Sequence, residues 1–139
     1  MAHGANPTLS KGWKVLATYN GSAAAGVTRF RGVKLAAGDT IDLNVAASTM
    51  GIGVVQEDID QVDVATGKAV ANVMMEGITK LYVQTAASIV QGSRLTLGNA
   101  GGAVIAATGN QQVGINLSSI TPAAGDLIDV WLTPSIIAP

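Results

Sequence analysis

Apolar and polar residues alternate with a period of two along much of this 139-residue chain, and glycines punctuate the alternation. Ile41, Leu43 and Val45 fall on one face of an extended segment with Asp42 and Asn44 opposite, the pattern of a half-buried antiparallel strand. Further strands are predicted at 13–18, 27–35, 51–55, 68–75, 78–83, 94–97, 104–107, 113–117 and 127–132. Within 27–35, Val27, Arg29, Arg31 and Val33 share a face by the same period. Residues 98–102, rich in glycine, read as a hairpin turn, and Asn20-Gly21 is a second turn signal. Gly77 marks a bulge or bend between 68–75 and 78–83. The polar stretch 56–64 is a loop or one short helical turn, and no window supports a long amphipathic helix. Many short strands with glycine turns predict an all-β fold, a compact antiparallel β-barrel or sandwich. Residues 1–12 lack periodicity and are expected to form a flexible or extended N-terminal arm. Residues 13–139 then make a single β domain that ends in an apolar C-terminal tail.

One phrase is written twice. Ala36, Ala37, Gly38, Asp39, Thr40, Ile41, Asp42 and Leu43 return as Ala123, Ala124, Gly125, Asp126, Leu127, Ile128, Asp129 and Val130. Each copy reads as a Gly-Asp turn leading into an alternating strand. Glycine supplies the unusual dihedrals, and the aspartate bonds its own downstream backbone. A Gly-Ile pair recurs at Gly51-Ile52, Gly77-Ile78 and Gly114-Ile115, but it follows the first octet and precedes the second. The echo is therefore two similar turn-strand solutions rather than a tandem repeat.

Composition alters this picture in two ways. The aromatics are few (Trp13, Tyr19, Phe30, Tyr82 and Trp131), while alanine, valine and glycine are abundant. Small side chains each bury little area, at about 25 cal/mol per Å², so contact with neighbouring chains is a plausible second source of stability. Charge is sparse but unevenly placed. Residues 1–38 carry Lys11, Lys14, Arg29, Arg31 and Lys34 and no acid, for +5, whereas residues 39–139 carry −6. Either the basic segment packs on the acidic body or it docks on an acidic partner. A nucleic-acid surface is the weaker third reading, because the bases are dispersed and the aromatics few. No run reaches the roughly 18 apolar residues of a membrane span, and no apolar secretory core precedes the body, so cytoplasmic synthesis is expected. The absence of cysteine excludes disulfides and thiolate ligands.

Candidate chemistry is thin. The single histidine, His3, would have to support any Ser-His-Asp or zinc arrangement alone. Glu57, Asp58, Asp60 and Asp63 are hard oxygen ligands in a short stretch, but the spacing lacks the glycine and terminal glutamate of a helix-loop-helix calcium loop. A solvated acidic loop is the expected outcome, and no metal or cofactor is assigned. Gly51 and Gly53 are not followed by the third glycine of a dinucleotide fingerprint. Asp39, Asp42, Asp126 and Asp129 fall in the repeated turn-strand units, which favours turn chemistry over a glycosidase pair. The chain is not expected to be an enzyme. Trp13, Tyr19 and Tyr82 are available to stack on sugars, but such residues in a β domain are more often core or interface anchors. In the tail, Ile136 and Ile137 either fold back on the domain or reach a neighbour.

Residues 67–132 resemble the small head-decoration, or capsid cement, proteins of tailed bacteriophages. The likeness is carried in order by Val73, Met74, Met75, Glu76, Gly77 and Ile78, then residues 87–93, 99–102 and Val113-Gly114-Ile115, and finally the second octet. Gly38-Asp39 and residues 50–54 fit the earlier part of the pattern. The resemblance implies a compact β-barrel-like domain on the outer surface of a virion capsid. There it would act as a homotrimer bound to the major capsid protein, bridging and stabilising adjacent coat subunits. It implies no catalytic residue, cofactor, membrane or direct nucleic-acid contact. The segment before residue 35 has no counterpart in that pattern, so its role rests on physical reasoning. Lys11, Trp13 and Lys14 are expected to lie extended on coat protein, free backbone groups adding to a coat strand and bases meeting acidic surface. Arg29 and Arg31, with Ile136 and Ile137, complete the expected capsid or subunit contacts. The rival reading is a carbohydrate- or receptor-binding β module of a phage tail or fibre.

Overall fold

The computed structural model describes residues 10–15, 28–36, 40–44, 46–47, 50–66, 69–85 and 88–135. Strands β1 (Ser10–Val15), β2 (Gly32–Ala36), β3 (Thr40–Leu43), β4 (Gly51–Val55) and β5 (Val70–Met74) close into a barrel in the order β1-β3-β2-β4-β5. Its pairs are antiparallel apart from β1 and β3, which run parallel. Strands β6 (Gly77–Tyr82), β7 (Arg94–Leu97), β8 (Ala103–Ile105), β9 (Gln112–Asn116) and β10 (Leu127–Ser135) form an antiparallel sheet in the order β6-β10-β9-β7-β8. The all-β expectation therefore holds. One short helix, α1 (Gln61–Ala65), occupies the polar stretch, started by Asp60, whose carboxylate accepts the Val62 N–H.

Alternation fixes what each strand buries. Val33, Ile41, Leu43, Val55 and Val73 fill the barrel, while Leu81, Leu95, Leu97, Ile128, Val130 and Leu132 build the core under the second sheet. Strand β4 belongs to both cores: Val55 points into the barrel, and its neighbour Val54 packs with the second sheet. Leu97 seats against Gly32 and Gly51, where a Cβ on either glycine would overlap its side chain. A large residue in a notch of small ones brings the two sheets together, and burying such a leucine is worth about 1.5–3 kcal/mol.

Polar groups stitch the same seam. The Asn44 side-chain amide donates to the Leu97 carbonyl at 2.7 Å and the Gly98 carbonyl at 3.3 Å. The Gly101 N–H donates to the Asn44 carbonyl at 3.0 Å. Gln111 makes a two-way amide pair with Gly51, accepting its N–H at 2.7 Å and donating to its carbonyl at 2.9 Å. Backbone carbonyls that have left a ladder need donors when buried, and these two amides supply them.

Four expectations change. Asn44, read as facing solvent beside Asp42, is fully buried, because the second sheet covers that position. The strand expected at 27–35 starts only at Gly32. Phe30 adopts φ 66°, and a left-handed residue interrupts the two-residue period, so Arg29 and Arg31 do not continue the face of Val33. Gly77, at φ 107°, is not a bulge within one sheet, since β5 ends at Met74 in the barrel and Gly77 opens β6 of the other sheet. The first strand, read at 13–18, starts earlier, at Ser10, and is described over Ser10–Val15, while residues 16–18 lie outside the described residues.

Candidate interaction surface

Strands β6 and β10 pair Gly77 with Leu132 through Tyr82 with Leu127, and this register sets their outward faces. With Thr79, Leu81, Ile128 and Val130 buried, Ile78, Lys80 and Tyr82 point outward beside Trp131, Asp129 and Leu127 respectively. Ile115 on β9 lies opposite Trp131, and Arg94 on β7 lies opposite Ile115. One row across four strands therefore reads Ile78, Trp131, Ile115, Arg94. Ile78 is 65% exposed and Trp131 49% exposed. In the next row Lys80 Nζ meets Asp129 Oδ1 at 2.7 Å, with Leu117 beyond, whose N–H donates to the Asp129 carbonyl. The result is a sheet face with an exposed aromatic-aliphatic row beside an ion pair.

At the Tyr82–Leu127 end this face meets a pocket of about 290 Å³ lined by Arg29, Phe30, Arg31, Tyr82 and Leu127 among others. The Arg31 guanidinium lies over the Tyr82 ring at 3.5 Å from its centroid, and its Nη1 donates to the Ala100 carbonyl at 3.1 Å. Arg31 thus clasps the entry of β2 to both β6 and the β7–β8 turn. Arg29 lies over Phe30 at 5.5 Å, and its backbone N–H donates to Asp58 Oδ1 at 2.8 Å. Phe30 itself is pinned by its N–H to the Val55 carbonyl and by the Tyr82 N–H to its own carbonyl.

The structure therefore brings Arg29 and Arg31 into one pocket. Lys11, Trp13 and Lys14 stand elsewhere, on β1, with Lys11 opposite Val73, Trp13 opposite Ala71 and Lys14 opposite both Val70 and Thr40. Backbone groups expected to be free for a coat strand are paired within the barrel along the β5 side of β1. Ile136, Ile137, His3, Tyr19, the Asn20-Gly21 turn and Gly38-Asp39 lie outside the described residues. The acidic residues of 56–64 go to separate tasks: Glu57 accepts the Asn72 N–H, Asp58 the Arg29 N–H, and Asp60 caps α1. The row through Ile78, Ile115 and Trp131 escaped sequence reading, although the outward parity of Asp129 and Trp131 in the second octet pointed to it.

No protein-family model and no curated protein matches the chain. Among solved structures it is similar to the N base of the head fiber gp8.5 of bacteriophage phi29, with a TM-score of 0.61 at 19% identity, covering 94% of this chain and 98% of that one. The two proteins share a fold across both sheets.

Proposed function

We propose that this chain is a structural protein of a phage virion that binds the outer surface of the capsid as a homotrimer and bridges adjacent coat subunits. The observation that carries the reading is the fold likeness to a head-fiber base over nearly the whole chain, both sheets included. The outward face of the second sheet supplies the means. Trp131 and its neighbours Ile78 and Ile115 form an anchor of the kind that dominates protein interfaces, with a polar margin at Lys80, Asp129 and Arg94. The proposal assigns the protein no catalysis, cofactor, nucleic acid or membrane.

Imaging of phage heads or empty shells incubated with the purified protein tests it. Added density at fixed symmetry positions is expected, and Trp131→Ala should remove that density while the far-ultraviolet spectrum stays unchanged. Well-folded wild-type protein that leaves shells bare at saturating concentration would overturn the reading.

One observation favours a carbohydrate-binding module as the second reading: Trp131 is half exposed on the outward sheet face beside charged hydrogen-bonding groups. Tyr82 is a poorer sugar platform than the sequence suggested, because Arg31 covers one face of its ring. A glycan-array signal that vanishes in Trp131→Ala would favour this second reading.

A further inference from the structure

Two arginines flank Phe30, a bulky residue held at φ 66°, and both line the same pocket. Bulky side chains avoid that region, so the surrounding bonds over-determine the segment, as they do at many binding sites. Arg31 is already posed. Stacking on Tyr82 and the bond to the Ala100 carbonyl fix the guanidinium plane, leaving other N–H groups of the fork to meet an acceptor. Neither arginine forms an ion pair with another described residue. The nearby acids are turned to backbone work: Asp58 holds the Arg29 N–H, and Asp126, between lining residues Gly125 and Leu127, accepts the Ala123 N–H at 2.8 Å.

Size and shape narrow the ligand. A pocket of about 290 Å³ lies at the lower edge of small-molecule sites, which start near 300 Å³, and suits one inserted side chain better than a nucleotide or cofactor. A planar guanidinium edge matches a planar carboxylate in two-point contact. Phe30 and Leu127 offer apolar wall to the methylenes that carry it. Phosphate sites commonly add converging backbone N–H groups at a helix N-terminus, and no helix lines this pocket. The mouth also adjoins the exposed sheet face, so a chain docked there has the pocket within reach.

We propose that the Arg29–Arg31–Tyr82 pocket receives the carboxylate of a glutamate or aspartate side chain carried by the partner protein. This rests on the reading of the chain as one that docks on another protein, and it gives that dock a specific charged contact.

The test is a titration of the full chain, with labelled arginine side chains observed by NMR. The probes are the peptide acetyl-Gly-Glu-Gly-amide, its glutamine counterpart and inorganic phosphate. Saturable shifts of the Arg31 Nε–H and the Tyr82 ring are expected with the glutamate peptide. Binding should be at least about tenfold weaker with the glutamine peptide. Arg31→Lys keeps the charge but loses the fork and should lose binding by a similar factor, its backbone amide spectrum confirming the fold. Arg29→Gln alters an exposed side chain and should weaken binding by a smaller factor with the fold intact. Equal shifts from both peptides, tighter binding of phosphate, or no shift at all would overturn the proposal. Shell decoration is read separately: shells that bind while the pocket ignores carboxylates refute the pocket alone, and bare shells with an active pocket refute the capsid reading alone.

Discussion

The octet at 36–43 leads into β3 and its copy at 123–130 leads into β10, yet the two strands serve different regions. Both bury the same positions, Ile41 and Leu43 in the barrel and Ile128 and Val130 in the second sheet. Both also set an aspartate across from a lysine on an antiparallel neighbour, Asp42 opposite Lys34 and Asp129 opposite Lys80. Strand β3 spans four residues and is enclosed between β1 and β2. Strand β10 spans nine, lies between β6 and β9, and carries Trp131 on an outward face with Ile78 and Ile115 beside it. A local phrase therefore fixes which side chains go inward and how a strand is charged across its ladder. The neighbouring strands decide which side chains stand beside each outward position, and only on β10 is that an exposed aromatic with aliphatic neighbours.

The sharpest way to break this contrast is to attack the seam between the regions. Leu97→Ala should cost about 2–5 kcal/mol, since the glycine notch at Gly32 and Gly51 has no side chains with which to refill the space. Trp13 on β1 and Trp131 on β10 give each region its own fluorophore, so single-tryptophan variants report the barrel and the second sheet separately. Coincident denaturation midpoints in both are expected, falling together in Leu97→Ala. Midpoints that separate in the parent chain would make the two sheets independent units.

A smaller loss, about 1–3 kcal/mol, is expected for Asn44→Ala, which strips the side-chain donor from the Leu97 and Gly98 carbonyls in a fully buried position. Chemical denaturation measures it, and a change below experimental error would mean that water replaces the amide. Smallest should be Lys80→Ala. Both partners of its ion pair are close to half exposed, so a loss within about 1 kcal/mol is expected and should shrink further in high salt. A larger effect would mean that this face is less open to solvent than the rest of the contrast requires.

Much of the architecture was legible because its causes are local. Alternation at 41–43 and 128–130 marked the buried faces, the glycines of 98–102 marked the β7–β8 turn, and the acidic stretch held the cap of α1. The second octet also foretold a turn at Gly125, which sits at φ 94°, but the Asp126 carboxylate accepts the upstream Ala123 N–H rather than one from the downstream backbone. Other features depend on partners distant in sequence, and no local period encodes those. Only the tertiary structure buried Asn44, because the carbonyls it serves lie more than fifty residues away. It alone sent β5 and β6 into different sheets at Gly77 and turned Phe30 left-handed, placing Arg29 and Arg31 around one pocket. By itself the sequence determined a β scaffold with sparse chemistry. Strand pairing across the chain decided which of its outward side chains stand together as a surface.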